Sequence, residues 1–287
     1  MSYKPSPRPT FDAPTHIRYE QTTRYLWGDP MAGEVADWIY VSSDKIHQIM
    51  FAIPPRGRFL HSEAHRTVFA ADEIYYVLSG VMLICNPETG EVHRVLPGEA
   101  AFFRRDTWHN AVNASDETLR VIEYFAPPPS QGTSGAYSRT RPYLASSRYV
   151  ADDLLGQWPM RQREIQASHS MRVVRQADLL WRLEGEAELL PVGLLCATEQ
   201  LTVGQIELLP GQRGGIETHG GDECLYLIEG SINVRLPEQG GAGWHELKSG
   251  DGFYTPHGHP HQYVNTGERK AKLIFGVAPR YLASGAS

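Results

Sequence analysis

The sequence predicts an all-β protein that consists of two similar domains in tandem. Its 287 residues include 27 glycines and 20 prolines between many short apolar runs, which is typical of strands joined by tight turns. The chain also repeats itself, because Glu73 and Gly80 recur 150 residues later as Glu223 and Gly230. Four further positions recur 152 residues later, and these are Gly98, His109, Asn113 and Pro127 with Gly250, His261, Asn265 and Pro279. Offsets this constant indicate a duplicated domain.

The overall composition argues against nucleic-acid and membrane partners. The formal net charge is −6 at pH 7, and no run of lysines and arginines is present that could follow a phosphate backbone. No stretch approaches the roughly 20 apolar residues that a membrane-spanning helix needs. The N-terminal segment lacks the apolar core of a secretory signal. Because Cys85, Cys196 and Cys224 are odd in number and lack metal-site spacing, we expect reduced thiols in a cytoplasmic protein.

Four segments follow one another along the chain. Residues 1–30 are rich in proline and are expected to form an N-terminal extension on the surface. Residues 31–127 contain alternating apolar stretches and form the first domain, and residues 176–282 form the second. Between them, residues 128–175 form a linker that begins with a proline-rich polar stretch. A short helix is expected in this linker near residues 151–155.

The second domain contains a group of side chains suited to a metal ion. Side chains two apart on a strand point the same way, so Glu217 and His219 share one face. Glu223 heads an apolar run that follows a Gly-Gly-Asp bend, and His261 shares one face of a further strand with Tyr263. Two imidazoles with one or two carboxylates suit a divalent transition metal and leave coordination positions open. We therefore expect a metal site formed by Glu217, His219, Glu223 and His261.

The same residues fall into two spaced motifs by which the chain resembles the cupin superfamily. The first motif is matched except that Glu217 replaces the first histidine of His-x-His, and its other matching residues are Gly211, His219, Glu223 and Gly230. The second motif is matched in full by Gly250, Pro256, Gly258, His261 and Asn265. Cupins are small β-barrels of the jelly-roll or double-stranded β-helix type. The resemblance therefore implies an all-β fold with two tandem cupin barrels joined by a partly helical linker.

The first domain carries a degenerate copy of these motifs. Counted from Pro54, the segment His61-Ser-Glu63 falls where Glu217-Thr-His219 falls when counted from Pro210, and about six extra residues then precede Glu73. Arg104 and Asp106 stand at the positions of Pro256 and Gly258. A second metal site is geometrically possible, with the candidate residues His61, His65, Glu73 and His109. The alternative is that the first barrel has lost its metal and serves as structure.

The proposed centre in the second barrel is compatible with more than one role for its acidic and phenolic groups. His219, Glu223 and His261 make a two-histidine, one-carboxylate set with positions free for substrate and for O2 or water. Glu217 is either a fourth ligand, a general base beside the metal, or a surface salt-bridge partner. Tyr263 is expected to line the pocket as a hydrogen-bond donor with a catalytic role. Fe(II) is the favoured ion, and Mn(II), Zn(II) and Ni(II) remain open.

The resemblance implies a reaction class less directly than it implies a metal. Ring-cleaving and flavonol-type dioxygenases are two-domain cupins with histidine and glutamate ligands, so a dioxygenase acting on a small hydroxylated or enolisable compound is the leading hypothesis. The first alternative is a non-redox Mn- or Zn-dependent hydrolase, lyase or isomerase, because ureidoglycine aminohydrolases begin their site with a similar Glu-x-His. A cupin that binds a ligand without catalysis is the second alternative. Two-domain cupins commonly form homodimers or higher homo-oligomers, and we expect the same here.

Overall fold

The computed structural model describes residues 6–128, 135–185 and 189–283 and shows an all-β protein with two barrels. The strands of the first half are β1 (Thr15–Ile17), β2 (Thr23–Asp29), β3 (Gly33–Ser42), β4 (His47–Ile53), β5 (Arg58–Phe59), β6 (Asp72–Ser79), β7 (Met82–Asn86), β8 (Glu91–Val95), β9 (Ala100–Phe103), β10 (Asn110–Asn113) and β11 (Leu119–Ala126). The strands of the second half are β12 (Met171–Val174), β13 (Leu180–Glu184), β14 (Leu190–Ala197), β15 (Thr202–Leu208), β16 (Asp222–Glu229), β17 (Ser231–Arg235), β18 (Trp244–Lys248), β19 (Gly252–Thr255), β20 (Gln262–Val264) and β21 (Ala271–Ala278).

Each barrel is built from a large sheet and a small sheet. In the first barrel, a seven-stranded sheet of order β12-β9-β6-β11-β4-β3-β2 accompanies a four-stranded sheet of order β5-β10-β7-β8. In the second, a seven-stranded sheet of order β1-β19-β16-β21-β15-β14-β13 accompanies a three-stranded sheet of order β18-β17-β20. Alternate apolar side chains of both sheets fill each barrel, as in the buried clusters around Phe51 and Phe103 in the first and around Phe253 and Phe275 in the second.

The two barrels exchange edge strands. β1, which precedes the first barrel, pairs with β19 of the second, with Thr15 opposite Tyr254. β12, which precedes the second barrel, pairs with β9 of the first, with Met171 opposite Phe103. Each barrel therefore completes its large sheet with backbone from the segment that leads into the other one.

A third apolar cluster lies between the barrels and draws residues from both halves of the chain. At its centre Tyr124 packs on Gly276, the residue 152 positions later that is its counterpart in the repeat. A β-carbon on Gly276 would lie 2.4 Å from the Tyr124 ring, and the Tyr124 hydroxyl donates to the Ile274 carbonyl oxygen at 3.2 Å. Cys224 is fully buried in this cluster, on the face of β16 opposite Glu223.

The motif glycines and asparagines perform structural tasks in both barrels. Gly80 and Gly230 adopt positive φ angles of 77° and 82°, and a β-carbon on Gly230 would lie 2.7 Å from the Lys270 carbonyl oxygen. The Asn265 side chain donates to two backbone carbonyl groups, those of Leu208 and Arg269. Asn113 makes the equivalent bonds in the first barrel. These residues close turns and stay outside the chemistry of the site.

The linker is partly helical, as expected, and lies against the first barrel. Its described part contains the helices α1 (Gly135–Ser138) and α2 (Gln162–Ala167) and a 3₁₀ turn at Asp152–Leu154; further 3₁₀ turns outside the linker lie at Tyr19–Gln21, Gln176–Asp178 and Pro237–Ala242. The Arg148 amide donates to the Pro87 carbonyl oxygen, and Arg66 donates to the carbonyl oxygens of Ser138 and Arg141. The linker thus wraps around one end of that barrel.

Three strands lie outside the ranges expected of the barrels. One is β1, which lies in the expected N-terminal extension and pairs with β19 of the second barrel. Residues 23–29, which the sequence placed in the N-terminal extension, form β2 and pair with β3 of the first barrel. The strand β12 lies in the expected linker range and belongs to the same sheet. Proline enrichment near the N-terminus concealed β2, whose partner β3 follows in the chain. No helix in the described ranges is long and apolar enough to cross a membrane.

Candidate metal centre

The central side chains of the site come from three separate parts of the second barrel. Glu223 is the second residue of β16, and His261 immediately precedes β20. His219 lies just before β16, where its backbone pairs with Leu282 near the described end of the chain. The backbone of His261 exchanges two hydrogen bonds with Glu217, at 2.8 and 3.0 Å. Strand pairing across the barrel therefore brings together residues that are far apart in the sequence.

His219, Glu223 and His261 point their donor atoms at one another. Glu223 Oε2 lies 2.7 Å from His261 Nε2 and 3.6 Å from His219 Nε2. One donor atom from each residue lies within 4.8 Å of the other two, and all three residues are buried. The imidazole rings are 5.4 Å apart between centroids. Two imidazoles and one carboxylate in this arrangement match the donor set of a mononuclear transition-metal site.

Both imidazoles are oriented through their other nitrogen. His219 Nδ1 lies 3.0 Å from the Tyr281 carbonyl oxygen, and His261 Nδ1 lies 3.3 Å from the His259 carbonyl oxygen. A carbonyl oxygen only accepts hydrogen bonds, so we assign the proton to Nδ1 in each ring. That tautomer leaves the Nε2 lone pairs directed at Glu223, as metal-binding histidines require.

Two buried atoms at the meeting point lack a hydrogen-bond partner among the described residues. These atoms are Glu223 Oε2 and His261 Nε2, whose 2.7 Å contact lacks hydrogen-bond geometry. Burial opposes ionisation of Glu223, but the positive charge of a protonated His261, followed by His219 and the Tyr263 hydroxyl, outweighs it and lowers the Glu223 pKa to about 2. Against the opposing effect of burial, the carboxylate in turn raises the pKa of His261, so a proton on that ring balances the carboxylate until a metal ion replaces it. A carboxylate and an imidazole lone pair that converge in this way call for a cation between them. The residues present therefore fit a divalent metal.

Tyr263 holds the carboxylate of Glu223 in place. Its buried hydroxyl donates a short hydrogen bond to Glu223 Oε1, the oxygen that does not face the histidines. Tyr263 thus lines the site, and its hydroxyl orients the candidate ligand.

Glu217 lies outside the group of converging donor atoms, although the sequence placed it in the metal site. It lines the adjoining cavity, and its Oε1 would lie 3.1 Å from a β-carbon on Gly215. Burial raises the pKa of Glu217, and the neighbouring Glu184 carboxylate raises it further. The backbone pairing with His261 fixes the position of Glu217 beside the site. Its side chain therefore lies beside the three converging donor atoms and is not one of them.

The cavity beside the three donor atoms is narrow. Its volume is about 20 Å³, which is slightly more than the roughly 10–15 Å³ that one water molecule needs on the same measure. No lysine or arginine is among the described residues that line it, which include Glu184, Leu190, Ile206, Glu217, Phe275 and Tyr281. A wide open cleft of about 660 Å³ shares Tyr281 with this cavity as a lining residue.

Tyr281 is a site residue that sequence reasoning missed. Its ring stacks on His219 at 4.7 Å, and its hydroxyl donates to Glu184 Oε2 at 2.6 Å. It lies after β21 and outside both motifs, so no spacing signal identified it. Only the pairing of the chain segment around Leu282 with His219 brings it to the site.

The first barrel keeps two of the three counterparts and fills the place of the third with an aromatic ring. His109 Nε2 lies 3.7 Å from Glu73 Oε2 and 3.1 Å from the Tyr75 hydroxyl. Phe69, 150 residues before His219, stacks on His109 at 5.5 Å. Burial lowers the pKa of His109 to about 4, so the ring is neutral at pH 7. No third donor accompanies Glu73 and His109 in the described part of this barrel.

His61 and His65 do not join Glu73 and His109, contrary to the four-residue site considered from the sequence. His61 Nε2 donates to the Leu144 carbonyl oxygen of the linker at 2.9 Å. His65 Nδ1 lies 3.0 Å from Asp29 Oδ2 on β2. The extra residues before Glu73 lead the chain away from the barrel interior and return it at Phe69. The alternation that put the histidines on one face does not hold there, because residues 60–71 form no strand.

The fold and this group of side chains define a class: a protein of two β-barrels, one of which contains a candidate metal centre. The sequence model of the cupin domain family matches residues 50–125 and 204–277, one region in each barrel. Together these regions exceed half of the 287 residues. The chain therefore belongs to the cupin family and has two cupin domains.

Solved structures of similar fold cover both barrels. The putative glyoxylate induced protein from Pseudomonas aeruginosa has a TM-score of 0.66 at 15% identity, over 100% of this chain and 97% of that one. AerE from Microcystis aeruginosa has a TM-score of 0.60 at 12% identity, over 90% and 97%. A mutant of oxalate decarboxylase OxdC from Bacillus subtilis has a TM-score of 0.59 at 12% identity, over 96% and 80%. A comparison with curated protein sequences finds no match. At these identities the likeness shows the fold.

Proposed function

We propose that the chain is a metal-dependent enzyme whose catalytic metal centre lies in the second barrel, with His219, Glu223 and His261 as ligands. The observation that carries this proposal is the convergence of three buried donor atoms, with both imidazoles oriented by backbone carbonyl groups. Tyr263 orients the carboxylate ligand from behind. A set of two histidines and one carboxylate leaves several coordination positions open, which a catalytic site needs and a purely structural site does not.

The reaction that this donor set supports best is an O2-dependent dioxygenation of a small hydroxylated or enolisable compound. Fe(II) is the ion we favour; when bound, it would supply the site at which substrate oxygen and O2 meet. The described lining of the inner cavity lacks lysine and arginine, which favours a hydroxyl or enol group over a carboxylate next to the metal, whereas Arg182 and Arg280 line the outer cleft. The cleft beyond Tyr281 offers the volume that a substrate needs, within the range of roughly 300–1,000 Å³ usual for small-molecule sites.

In this reaction the residues around the metal centre accept a proton from the substrate, exclude water from the cavity and orient a ligand. Glu217 stands beside the ligands with its pKa raised by burial, so it can accept the proton that a hydroxylated substrate releases. Phe275 and Ile206 supply apolar walls that exclude water from the inner cavity. The Tyr281 ring stacks on His219 and fixes its orientation.

A second candidate function is favoured by the position of Glu217. A carboxyl group with a raised pKa, adjacent to the candidate ligands and outside the group of converging donors, suits general-base catalysis in a hydrolase, lyase or isomerase. Mn(II) or Zn(II) would then polarise a carbonyl group or lower the pKa of a bound water. This reaction consumes no O2, which separates it from the first.

Metal identity and O2 uptake distinguish the two. We would measure metal content by mass spectrometry on protein purified without added metal, for wild type, His261→Ala and His109→Ala. The proposal predicts that wild type holds about one more metal ion per chain than His261→Ala, and that His109→Ala keeps this ion. Iron with O2 consumption on phenols or diketones supports the dioxygenase; manganese or zinc with anaerobic turnover supports the alternative. If wild type binds no more divalent metal than His261→Ala even when the metal is supplied, both proposals fail and a ligand-binding module remains.

We also propose that the protein is a homodimer assembled through the edge of the second barrel. The strand β13 lies at the end of its seven-stranded sheet, and three of its apolar side chains are more than half exposed, namely Leu180, Trp181 and Leu183. An apolar edge strand is a surface that a second copy would cover. Size-exclusion chromatography with light scattering should show a dimer for wild type and a monomer for Leu183→Glu. A monomeric wild type would contradict the proposal.

The expected cytoplasmic location is likewise a proposal, and the state of the cysteines supports it. Cys85, Cys196 and Cys224 are free thiols, which suits a reducing compartment. Fractionation of the source cells would test it, and recovery outside the cytoplasm would contradict it.

A further inference from the structure

Three side chains outside the second-barrel site meet where the linker returns to the first barrel. Glu91 and His93 lie two residues apart on β8, so they share one face. His169 lies between α2 and β12. Glu91 Oε1 is 2.6 Å from His93 Nε2 and 3.9 Å from His169 Nδ1, and the two rings are 5.1 Å apart. One donor atom of each residue lies within 4.8 Å of the other two.

The carboxylate at the centre is held by backbone of the linker. Glu91 Oε2 accepts from the Ser170 amide at 2.8 Å and from the Ser170 hydroxyl at 2.6 Å, and Oε1 accepts from the Met171 amide at 2.9 Å. Burial opposes ionisation of Glu91, but the hydrogen bonds from His93, Ser170 and Met171 outweigh it and lower its pKa. The carboxylate is therefore charged and oriented, with outer hydrogen bonds of the kind that support metal ligands.

The cluster combines a buried carboxylate with partly exposed imidazoles. The Glu91 side chain is 5% exposed, whereas His93 and His169 are 17% and 23% exposed. An ion can therefore reach the donor atoms from solvent, and its remaining positions can take water. The cluster does not belong to the repeat, because Gly243 stands 152 residues after Glu91 and supplies no carboxylate next to His245.

We propose that Glu91, His93 and His169 form a second metal site, of the zinc class, that fastens the linker to the first barrel. Two imidazole nitrogens, one carboxylate oxygen and a water make a tetrahedral set that Zn²⁺ prefers. In that geometry the donor atoms lie about 3.3 Å apart, so the ion would replace the proton between His93 and Glu91, lengthen that contact and draw His169 closer. The site is independent of the second-barrel centre and of the reaction proposed for it.

A metal ion at this site would hold the end of the linker against the first barrel. His169 is followed directly by Ser170 and by β12, which completes the large sheet of the first barrel. The residues of α2 just before it are all at least partly exposed, so few packing contacts hold this part of the linker. A bound ion would therefore protect the linker from opening.

Zinc titration of metal-free His261→Ala protein tests the proposal, since this background removes the candidate ligand His261 from the other site. We expect one Zn²⁺ per chain by competition with a chromophoric chelator, and a loss of affinity of at least about tenfold when His169→Ala is added. The matched control is His245→Ala, which removes the repeat counterpart of His93. Equal zinc affinity with and without His169, or no stoichiometric zinc in the His261→Ala background, would overturn the proposal.

Limited proteolysis tests the same proposal even if a variant is less stable, because cleavage is compared with and without zinc within each variant. Zinc should slow cleavage of residues 139–168 in the His261→Ala background and in the His245→Ala control. It should leave the cleavage rate unchanged when His169 is alanine, whatever the starting rate of that variant. Equal protection with and without His169 would show that the ion binds elsewhere and would refute the site.

Discussion

Phe69 and His219 occupy equivalent positions in the two barrels, and the difference between them separates a packed aromatic cluster from a candidate metal centre. His109 and Glu73 remain in the first barrel, but the Phe69 ring covers His109, and the Tyr75 hydroxyl lies at its Nε2 atom. In the second barrel, Ala111 and Tyr75 are matched by Tyr263 and Leu225, so the hydroxyl approaches the carboxylate instead. The local partner of each imidazole therefore decides whether its lone pair is free for a metal.

Restoring the missing donor should restore metal binding in the first barrel. The double variant Phe69→His, Tyr75→Phe supplies a second imidazole and releases His109 Nε2 from the Tyr75 hydroxyl. We expect about one additional divalent metal ion per chain by mass spectrometry. Tyr75→Phe alone is the control and should bind no additional ion. A folded double variant with the metal content of wild type would contradict this account of the first barrel.

Removal of the Tyr263 hydroxyl should weaken the second-barrel centre without emptying it. Tyr263→Phe keeps the ring and deletes the hydrogen bond to Glu223 Oε1, so the carboxylate loses its orientation. Loss of such an outer contact typically weakens metal affinity by about 10–100-fold, measurable by chelator competition. Tyr226→Phe, on the opposite face of β16 at the barrel interface, should leave the affinity unchanged. Equal metal affinities for the two variants would show that the Tyr263 hydroxyl does not support the metal centre.

At the scale of elements, alternation along the large sheet of the first barrel directs acidic side chains inward. Asp37 on β3, Glu73 on β6 and Glu123 on β11 are all buried. Burial raises the pKa of each of them, and neighbouring carboxylates raise those of Glu73 and Glu123 further. Tyr75 faces the same group, and the three carboxylates raise its pKa beyond the effect of burial. The buried carboxyl groups therefore destabilise the folded state of this barrel at pH 7.

That cost should appear as a pH dependence of stability. A carboxyl group with a raised pKa in the folded state binds more protons there than in the unfolded chain, so stability falls as pH rises from about 4.3, the unfolded value, through the folded pKa. Glu123→Gln removes one such group. The variant should gain stability relative to wild type between pH 4.5 and pH 8 in urea unfolding.

The control for this comparison is Glu63→Gln, which changes an exposed glutamate of the same barrel. Because this side chain is exposed, the substitution should change the free energy of unfolding by no more than about 0.5 kcal/mol. A pH-independent difference for Glu123→Gln would show that this carboxyl group titrates alike in the folded and unfolded chain.

At the scale of the whole molecule, the barrels are held together by exchanged strands and by a shared apolar layer. Tyr40 reaches from β3 to the Gly250 carbonyl oxygen at 2.6 Å, and its ring lies edge-on to Tyr226 at 5.6 Å. Arg104 bridges Asp72 of the first barrel and Glu199 of the second. Neither barrel has a complete large sheet without the other half of the chain. We therefore expect the two barrels to unfold together.

Gly276→Ala tests this interface. The new β-carbon would lie 2.4 Å from the Tyr124 ring, a distance that forces the sheets apart. Overpacking of this kind typically costs about 1–3 kcal/mol, which urea unfolding would measure as a single shifted transition. Gly241→Ala introduces the same methyl group into open space and should change stability little. An unaffected Gly276→Ala protein would mean that the barrels do not pack as described.

The repeat and the motif spacing predicted much of this molecule. Constant offsets of 150 and 152 residues identified two domains, and the motif spacing grouped Glu217, His219, Glu223 and His261, of which the last three bring their donor atoms together in the structure. The same reasoning placed Cys224 on the opposite face of its strand. It succeeded because strand periodicity is a local property, so neighbouring residues alone determine which face a side chain takes.

Other features depended on tertiary structure because no local pattern encodes them. The extra residues before Glu73 broke the alignment of the repeats, so His61 and His65 were grouped with residues they do not reach and Phe69 was overlooked. Glu217 shares a face with the ligands, but alternation does not say how far a side chain extends toward a common point. The pairing of β1 with β19, the approach of Tyr281 to His219 and the meeting of His169 with Glu91 each join distant parts of the chain. Such contacts follow from how whole sheets pack, and sequence spacing does not determine that.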